Sequence, residues 1–419
     1  MAEALRGEAK VRLSRLVGWG VLGQLAYVIG QFLLLVALAR HASVEDVGRF
    51  GLASAITLPI FWFFNLGIRA NQATDTTGQY RFHEYMRLRL YATALTYVLV
   101  VVIALCLSDP AMLPVMLIFG ATKGVETWSD LCYGSFQRGD RLWAVAQSLI
   151  LRGFAGSLLF WIIIATTGTV ILAYLGLLLA WTAVAFGLDV PRARRIARAE
   201  GDVKPVRLEV VRELALGSLP LAFNALLAAL QGSSPRYVTG HMLGIAALGQ
   251  FTLIGYAMQA VTTIVTAVGQ SIIARLAHYA ANGNRRAFTR ILTRFMGLIA
   301  VAATVAAILA LLIGDPVLTL IFGPDYSGLA GLLALIMVAS GMVASAGILQ
   351  SGLLATRRFT HNLRIRVVSF TLVLVLSAIG AHFWGLTGVV GGMIISSAVQ
   401  TLLLGWTLTR MSFIAPPIP

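Results

Sequence analysis

The sequence predicts an all-α polytopic membrane protein of about 12 transmembrane helices in two six-helix lobes. Three observations predict it: the composition, the number and length of apolar stretches, and the side on which basic residues fall. Of 419 residues, 58% are hydrophobic and only 12% are charged, and the mean hydropathy is +0.84. Soluble globular proteins carry roughly a quarter charged residues. So apolar a chain is neither disordered nor disulfide-stapled, and a soluble enzyme is a poor fit. The charge is also lopsided, with 32 Lys and Arg against 17 Asp and Glu for a net +15. A pI near 10.6 would point to nucleic acid in a soluble protein. Sparse charges on an apolar chain point to a membrane instead, with no nucleic acid.

A helix needs about 20 apolar residues to cross a bilayer. Twelve stretches meet that need, the first six at 16–39, 50–70, 90–107, 111–137, 143–167 and 170–189. The second six are 213–236, 244–273, 295–313, 326–354, 363–383 and 385–408. On this twelve-span reading, 26 of the 32 basic residues fall on one side. They occupy the N-terminal tail, the loops after spans 2, 4, 6, 8 and 10, and Arg410. These include Arg87 and Arg89 after span 2 and Arg364 and Arg366 after span 10. The opposite side has Arg40, Arg49 and Arg236. The positive-inside rule places both termini in the cytoplasm. The first apolar segment, about 24 residues long, exceeds the ~7–15 residues of a signal-peptide core and lacks an A-x-A-like site. Span 1 is therefore expected in the mature protein. Cys106 and Cys132 fall inside spans and read as small buried hydrophobes, with no disulfide or metal site.

The basic stretch Val190–Arg212 divides the chain into an N-terminal lobe (1–189), a cytoplasmic linker (190–212), a C-terminal lobe (213–410) and a tail (411–419). The linker reads as a tether near anionic headgroups. The halves echo each other. Val47-Gly48-Arg49-Phe50 at the start of span 2 recurs as Leu248-Gly249-Gln250-Phe251 at the start of span 8, and Ser108-Asp109-Pro110 between spans 3 and 4 as Gly314-Asp315-Pro316, expected at the external turn between spans 9 and 10. The cytoplasmic turns after spans 4 and 10 correspond as well. A six-span repeat unit has an even number of crossings, so the halves run the same way through the membrane, as in transporters.

The chemistry available is limited. External loops are short, and their acids Glu45, Asp46, Asp109, Asp315 and Asp325 read as helix caps and turns. With no Gly-rich phosphate loop and no exposed catalytic constellation, an enzyme acting on lipid-linked sugar is rejected, and no cofactor is expected. Charges within spans are costly and point to function. Lys123, Glu126 and Asp130 lie at i, i+3 and i+7 on one face of span 4. Arg152 sits near mid-depth in span 5, and Arg69 follows Asn65 at the end of span 2. Lys123 and Glu126 either neutralise each other to hold the bundle or line a cavity for an anion and a coupling cation. On the second reading Arg152, Lys123, Arg69, Arg236, Asn65, Gln31 and Asn224 bind substrate, with Arg152 contacting the anionic group. Glu126 and Asp130 are then the cation-coupling pair. Gln24, Tyr27 and Gln31 on span 1, with Asn224 and Gln231 on the equivalent span 7, add polar stripes suited either to a lumen or to interhelical hydrogen bonds.

The sequence resembles the polysaccharide (oligosaccharidyl-lipid) flippases of the multidrug/oligosaccharidyl-lipid/polysaccharide exporter (MOP) superfamily. The resemblance is carried by Leu38-Ala39-Arg40 through Val44-Glu45-Asp46-Val47-Gly48-Arg49-Phe50, Asn65-Leu66-Gly67-Ile68, Gly217-Ser218-Leu219-Pro220 and Leu248-Gly249-Gln250-Phe251. Leu320-Ile321-Phe322-Gly323-Pro324-Asp325-Tyr326 and Gly385-Leu386-Thr387-Gly388-Val389 extend it nearly end to end. It implies two six-helix lobes about a cavity that opens alternately to either side of a bacterial inner membrane. The cargo it implies is an undecaprenyl-pyrophosphate-linked oligosaccharide, moved to the periplasmic leaflet for O-antigen, capsule or exopolysaccharide synthesis. Membrane lipids, an H+ or Na+ coupling ion, and a glycan polymerase or glycosyltransferase are the implied partners. Relatives often carry an acid before the Arg late in span 7; here the residues are Ser234-Pro235-Arg236. A drug or metabolite cation-coupled antiporter of the same superfamily is the alternative, and a structural partner of a glycan polymerase a third reading.

Overall fold

In lipid no water satisfies the backbone, so a spanning chain must pair its own amides and carbonyls. The computed structural model, which describes residues 2–75, 78–107, 109–201, 207–356 and 359–410, does so with helices throughout. In order these are α1 (Ala2–His41), α2 (Val44–Phe64), α3 (Ile68–Thr74), α4 (Phe82–Cys106), α5 (Met112–Arg138), α6 (Leu142–Thr167) and α7 (Val170–Val184). A π-helical turn, Ala185–Asp189, leads into α8 (Val190–Ala199). There follow α9 (Leu208–Met242), α10 (Ile245–Ala281), α11 (Arg285–Phe322), α12 (Ala330–Ala355) and α13 (Phe359–Thr409). α13 is two crossings joined at Gly385, whose φ of 58° and ψ of −138° interrupt the helix. The twelve apolar stretches each correspond to one of these crossings. Nine helices among the described residues are long and apolar enough to span a membrane by length and composition alone. α5, with Lys123, Glu126, Asp130 and Arg138, and α10 are not among the nine, and α13 counts once.

Burial is reversed relative to a soluble protein. Large apolar side chains point outward, as at Leu179, Leu312 and Leu320, which are 67%, 72% and 74% exposed. Small hydroxyl residues such as Ser129, Ser148 and Ser157 are enclosed. Several enclosed hydroxyls donate to the carbonyl one turn back, including Thr96 to Ala92 at 2.7 Å and Thr122 to Ile118 at 2.8 Å. Such internal bonding lets polar residues sit in a bundle without a water partner.

By contact, the chain forms two compact units: Met1–Ser43 with Ile56–Leu226, and Val44–Ala55 with Leu227–Pro419. In the first unit α1 and α6 pack backbone to backbone. A Cβ on Gly30 would lie 2.3 Å from the Gly153 carbonyl oxygen, and Ser157 donates to the Gly30 carbonyl at 2.6 Å.

In the second unit the repeated motif meets its own copy. A Cβ on Gly48 would lie 2.0 Å from the Ile245 carbonyl oxygen, and one on Gly249 would lie 2.1 Å from that of Val44. Each glycine thus approaches the residue four before the other, the reciprocity of a two-fold-related contact. Gly48→Leu is expected to cost about 1–3 kcal/mol or more through overpacking. An unchanged melting temperature of the detergent-purified variant would count against this contact.

Several sequence expectations change. Asp315-Pro316, expected at a turn, lies inside α11, and the chain reverses only after Phe322. Asp315 still serves as a cap, because its Oδ1 accepts the Ala330 amide at the start of α12, 2.9 Å away. The first ten residues of the expected linker are helical as α8, while 202–206 and the tail 411–419 lie outside the described residues. Cys132 is buried as expected, but Cys106 is exposed, because it lies on the outward face at the end of α4. Arg89 and Arg366, sorted with the loops by their place near span ends, are also inside the fold. Arg89 is 1% exposed within α4, and Arg366 of α13 is half-buried and lines a cavity.

Candidate functional site

The face of α5 that carries Lys123, Glu126 and Asp130 turns into the first unit. Three other helices complete a cluster around Glu126. Its Oε1 accepts the Tyr27 hydroxyl of α1 at 2.6 Å, and its Oε2 accepts Lys123 Nζ at 2.7 Å. Arg152 Nη2 of α6 stands 3.9 Å from Oε1. The Arg152 guanidinium lies 4.2 Å from the centroid of the Trp181 ring of α7, and Lys123 lies 5.8 Å from the same ring. Trp181 is fixed in turn by donating its indole N–H to the Arg152 carbonyl at 3.1 Å. Aromatic faces attract cations, and more strongly where water is excluded. Two cations therefore share one carboxylate and one indole ring, and these three charged side chains together hold a surplus positive charge.

Arg152 is 1% exposed. Expected to contact cargo directly, it instead stands enclosed beside Glu126, Tyr27 and Trp181, and its Nε and Nη2 have no hydrogen-bond partner among the described residues. Lys123 is the more accessible cation, with 20% of its side chain exposed beside the 27% of Glu126.

Below the cluster, Arg69 pairs with Asp130 at 3.1 Å and donates Nε to Gln137 at 3.2 Å. Its guanidinium also lies 5.3 Å from the Tyr133 ring centroid. Asn65 has a different task from the one expected. Its Oδ1 accepts Arg89 Nη2 at 2.6 Å, which gives the buried guanidinium an oxygen partner. Gln31 is half-buried on α1. Asn224 of α9 is also half-buried, and its enclosed Oδ1 has no partner among the described residues. Arg236, half-buried beside Tyr237 and Tyr256, belongs to the second unit, whereas Arg69, Lys123 and Arg152 belong to the first.

Sequence reasoning missed Asp189. The π-helical turn that ends at Asp189 places its side chain inside the unit, 0% exposed; such turns recur at functional sites. Ser148 donates to Asp189 Oδ2 at 2.7 Å, and the Tyr133 and Ser148 hydroxyl oxygens are 2.7 Å apart. Arg152 Nη1 reaches the Tyr133 hydroxyl over a long 3.5 Å. With the Ser148 proton spent on Asp189, Tyr133 must donate to Ser148 and accept from Arg152. Every donor in this chain then points from guanidinium to carboxylate, an arrangement in which successive bonds polarise one another. A pattern of Leu188-Asp189-Val190-Pro191 before a run of arginines looks like a loop start, so only the periodicity across the π turn could have flagged it.

No family model matches the chain. Among solved structures, a mutant form of the Vibrio cholerae MATE transporter VcmN superposes with a TM-score of 0.63 at 15% identity, over 96% of this chain and 97% of that one. The lipid II flippase MurJ in an inward closed conformation gives 0.71 at 9% identity, over 94% and 88%. An inward-facing multidrug resistance MATE family transporter of the MOP superfamily gives 0.69 at 11% identity, over 92% and 94%. The fold is that of these solved membrane transporters. The neighbours are transporters and a flippase rather than enzymes, and the chain is a multi-pass membrane protein. In sequence it is 24% identical over 384 residues to the Capsular polysaccharide biosynthesis protein CapF of Staphylococcus aureus. That similarity covers 89% of this chain and 93% of CapF, so a MOP-like fold and a polysaccharide-pathway relative coincide over nearly the whole length.

Proposed function

We propose that the chain is a flippase that carries a polyprenyl-pyrophosphate-linked oligosaccharide across a bacterial inner membrane for capsule, O-antigen or exopolysaccharide assembly. The observation that carries this reading is the surplus positive charge of the Lys123–Glu126–Arg152 cluster, together with end-to-end similarity to a capsular polysaccharide biosynthesis protein. A pyrophosphate brings the counter-charge that the cluster lacks. Lys123 meets the anion, while Arg152, stacked on Trp181, stays behind it and holds Glu126 in place. Arg69 in the first unit and Arg236 in the second are further cationic candidates for substrate binding, and Gln31 and Asn224 offer hydrogen bonds to sugar hydroxyls.

Coupling follows from the same contacts. When Lys123 turns from Glu126 to the anion, Glu126 loses a strong hydrogen bond in a low-dielectric site, and its affinity for a proton rises. Anion binding and protonation of Glu126 then favour each other, and Asp130, paired with Arg69, is the second candidate for cation coupling. The lobes 1–189 and 213–410, joined by 190–212 with both termini cytoplasmic, would move as the alternating bodies. The antiporter alternative is less well supported, since a cationic drug needs a free acid and Glu126 and Asp130 each already face a cation. Expression in a bacterium lacking its own capsule-unit flippase tests the proposal. Restored surface polysaccharide is the expected result, and drug resistance without restored polysaccharide would refute it.

A further inference from the structure

The second unit holds a partly open cavity of about 360 Å³ between α9, α10, α12 and α13, within the size range of small-molecule sites. Its polar lining consists chiefly of Gln231, Gln350, Ser351, Arg366, Ser397 and Gln400. None of the residues lining it is acidic. Gln231 donates Nε2 to Gln400 Oε1 at 2.9 Å, and Gln350 donates to Asn362 Oδ1 at 2.7 Å. Each amide has both a carbonyl and an amino group. The pairs therefore spend one end of each lining amide and leave the Gln231 and Gln350 carbonyls and the Gln400 amino group available. Arg366 Nε is enclosed and has no hydrogen-bond partner among the described residues, and no acid among them forms a salt bridge with it. A half-buried guanidinium with an enclosed, unpartnered Nε and unspent amides are costly to keep unless something satisfies them.

We propose that this cavity is a second binding site, specific for a sugar residue that bears a carboxylate. Amides and hydroxyls match the paired donors and acceptors of vicinal sugar hydroxyls, and Met258 and Met393 offer adaptable apolar surface to the C–H faces of a ring. The single guanidinium decides the charge. One Arg matches one carboxylate through a bidentate fork, whereas a pyrophosphate would remain mostly uncompensated. A neutral sugar would leave Arg366 unpaired. The inference rests on the flippase reading only for the expectation that the cargo is a glycan.

Binding is measured by calorimetry on the full-length protein in nanodiscs, with cellobiouronate (a disaccharide with one carboxylate), maltose and inorganic pyrophosphate as probes. Cellobiouronate is expected to bind at least about tenfold more tightly than maltose, the ratio that about 1.4 kcal/mol produces. Arg366→Gln is expected to remove that preference while leaving maltose binding as it was. Arg366→Lys keeps the charge without the fork and should retain part of the preference, which guards against a Gln variant that fails to fold. Lys123→Ala should leave the preference intact. Equal binding of the two sugars by the wild-type protein would overturn the proposal. So would a preference that survives Arg366→Gln, one that disappears in Lys123→Ala, or an Arg366→Gln effect confined to pyrophosphate. These measurements need no transport, so a failed flippase reading and a failed sugar-acid site give different results.

Discussion

Lys123→Ala is expected to reduce transport of a pyrophosphate-linked glycan by about 30-fold or more while the protein stays folded. Removing one partner of a desolvated, hydrogen-bonded charge pair typically costs about 2–5 kcal/mol of binding, and about 1.4 kcal/mol is tenfold. Stability should suffer less. Glu126 keeps the Tyr27 hydroxyl at 2.6 Å and the Arg152 guanidinium at 3.9 Å, so its carboxylate is not left bare. Lys123→Arg preserves the charge and should recover part of the activity. The check is initial flipping rate against amount of folded protein in the same membranes. A normal rate in Lys123→Ala would remove this residue from the cargo path.

Glu126 should show the opposite balance. Glu126→Ala leaves Lys123 and Arg152 without their shared carboxylate, both beside the Trp181 ring. Breaking a buried ion pair costs about 3–5 kcal/mol. With 27% of the Glu126 side chain exposed, the lower end, about 3 kcal/mol, is expected. The measurement is thermal unfolding in detergent. Glu126→Gln is nearly isosteric: its one carbonyl oxygen can accept the Lys123 hydrogen bond while its amino group donates to the Tyr27 hydroxyl oxygen, but it cannot take up a proton. It should therefore transport with no response to an imposed pH gradient. Persistence of gradient-dependent transport in Glu126→Gln would place coupling elsewhere, with the enclosed Asp189 the next residue to replace.

Much of the fold was legible from chemistry that the membrane enforces. Twelve apolar runs match twelve helical crossings because lipid leaves few alternatives to the helix. The repeat of Val47-Gly48 and Leu248-Gly249 also had a physical content, since the two motifs pack on each other. The Asp-Pro repeat misled because a Pro can sit inside a long helix when a neighbouring acid caps the next one, as Asp315 does. At the site, helical spacing correctly put Lys123, Glu126 and Asp130 on one face. It could not say which cation each acid would meet. Asn65 bound to Arg89 and Arg152 stacked on Trp181 are contacts between distant parts of the chain. Arg89, Arg366 and Asp189 were missed for a common reason. Charges near span ends look like interfacial residues until packing shows whether the side chain turns outward or in.

The central claim is that a net-positive cluster in the first unit moves an anionic lipid-linked glycan. It is tested most directly in proteoliposomes that contain the purified protein and a polyprenyl-pyrophosphate-linked oligosaccharide, with an enzyme outside that labels only outward-facing sugar. The account predicts time-dependent labelling beyond the initially exposed fraction, and its loss with Lys123→Ala. Labelling that never exceeds the initial fraction, from protein that exchanges a cationic drug for protons in the same vesicles, would contradict it.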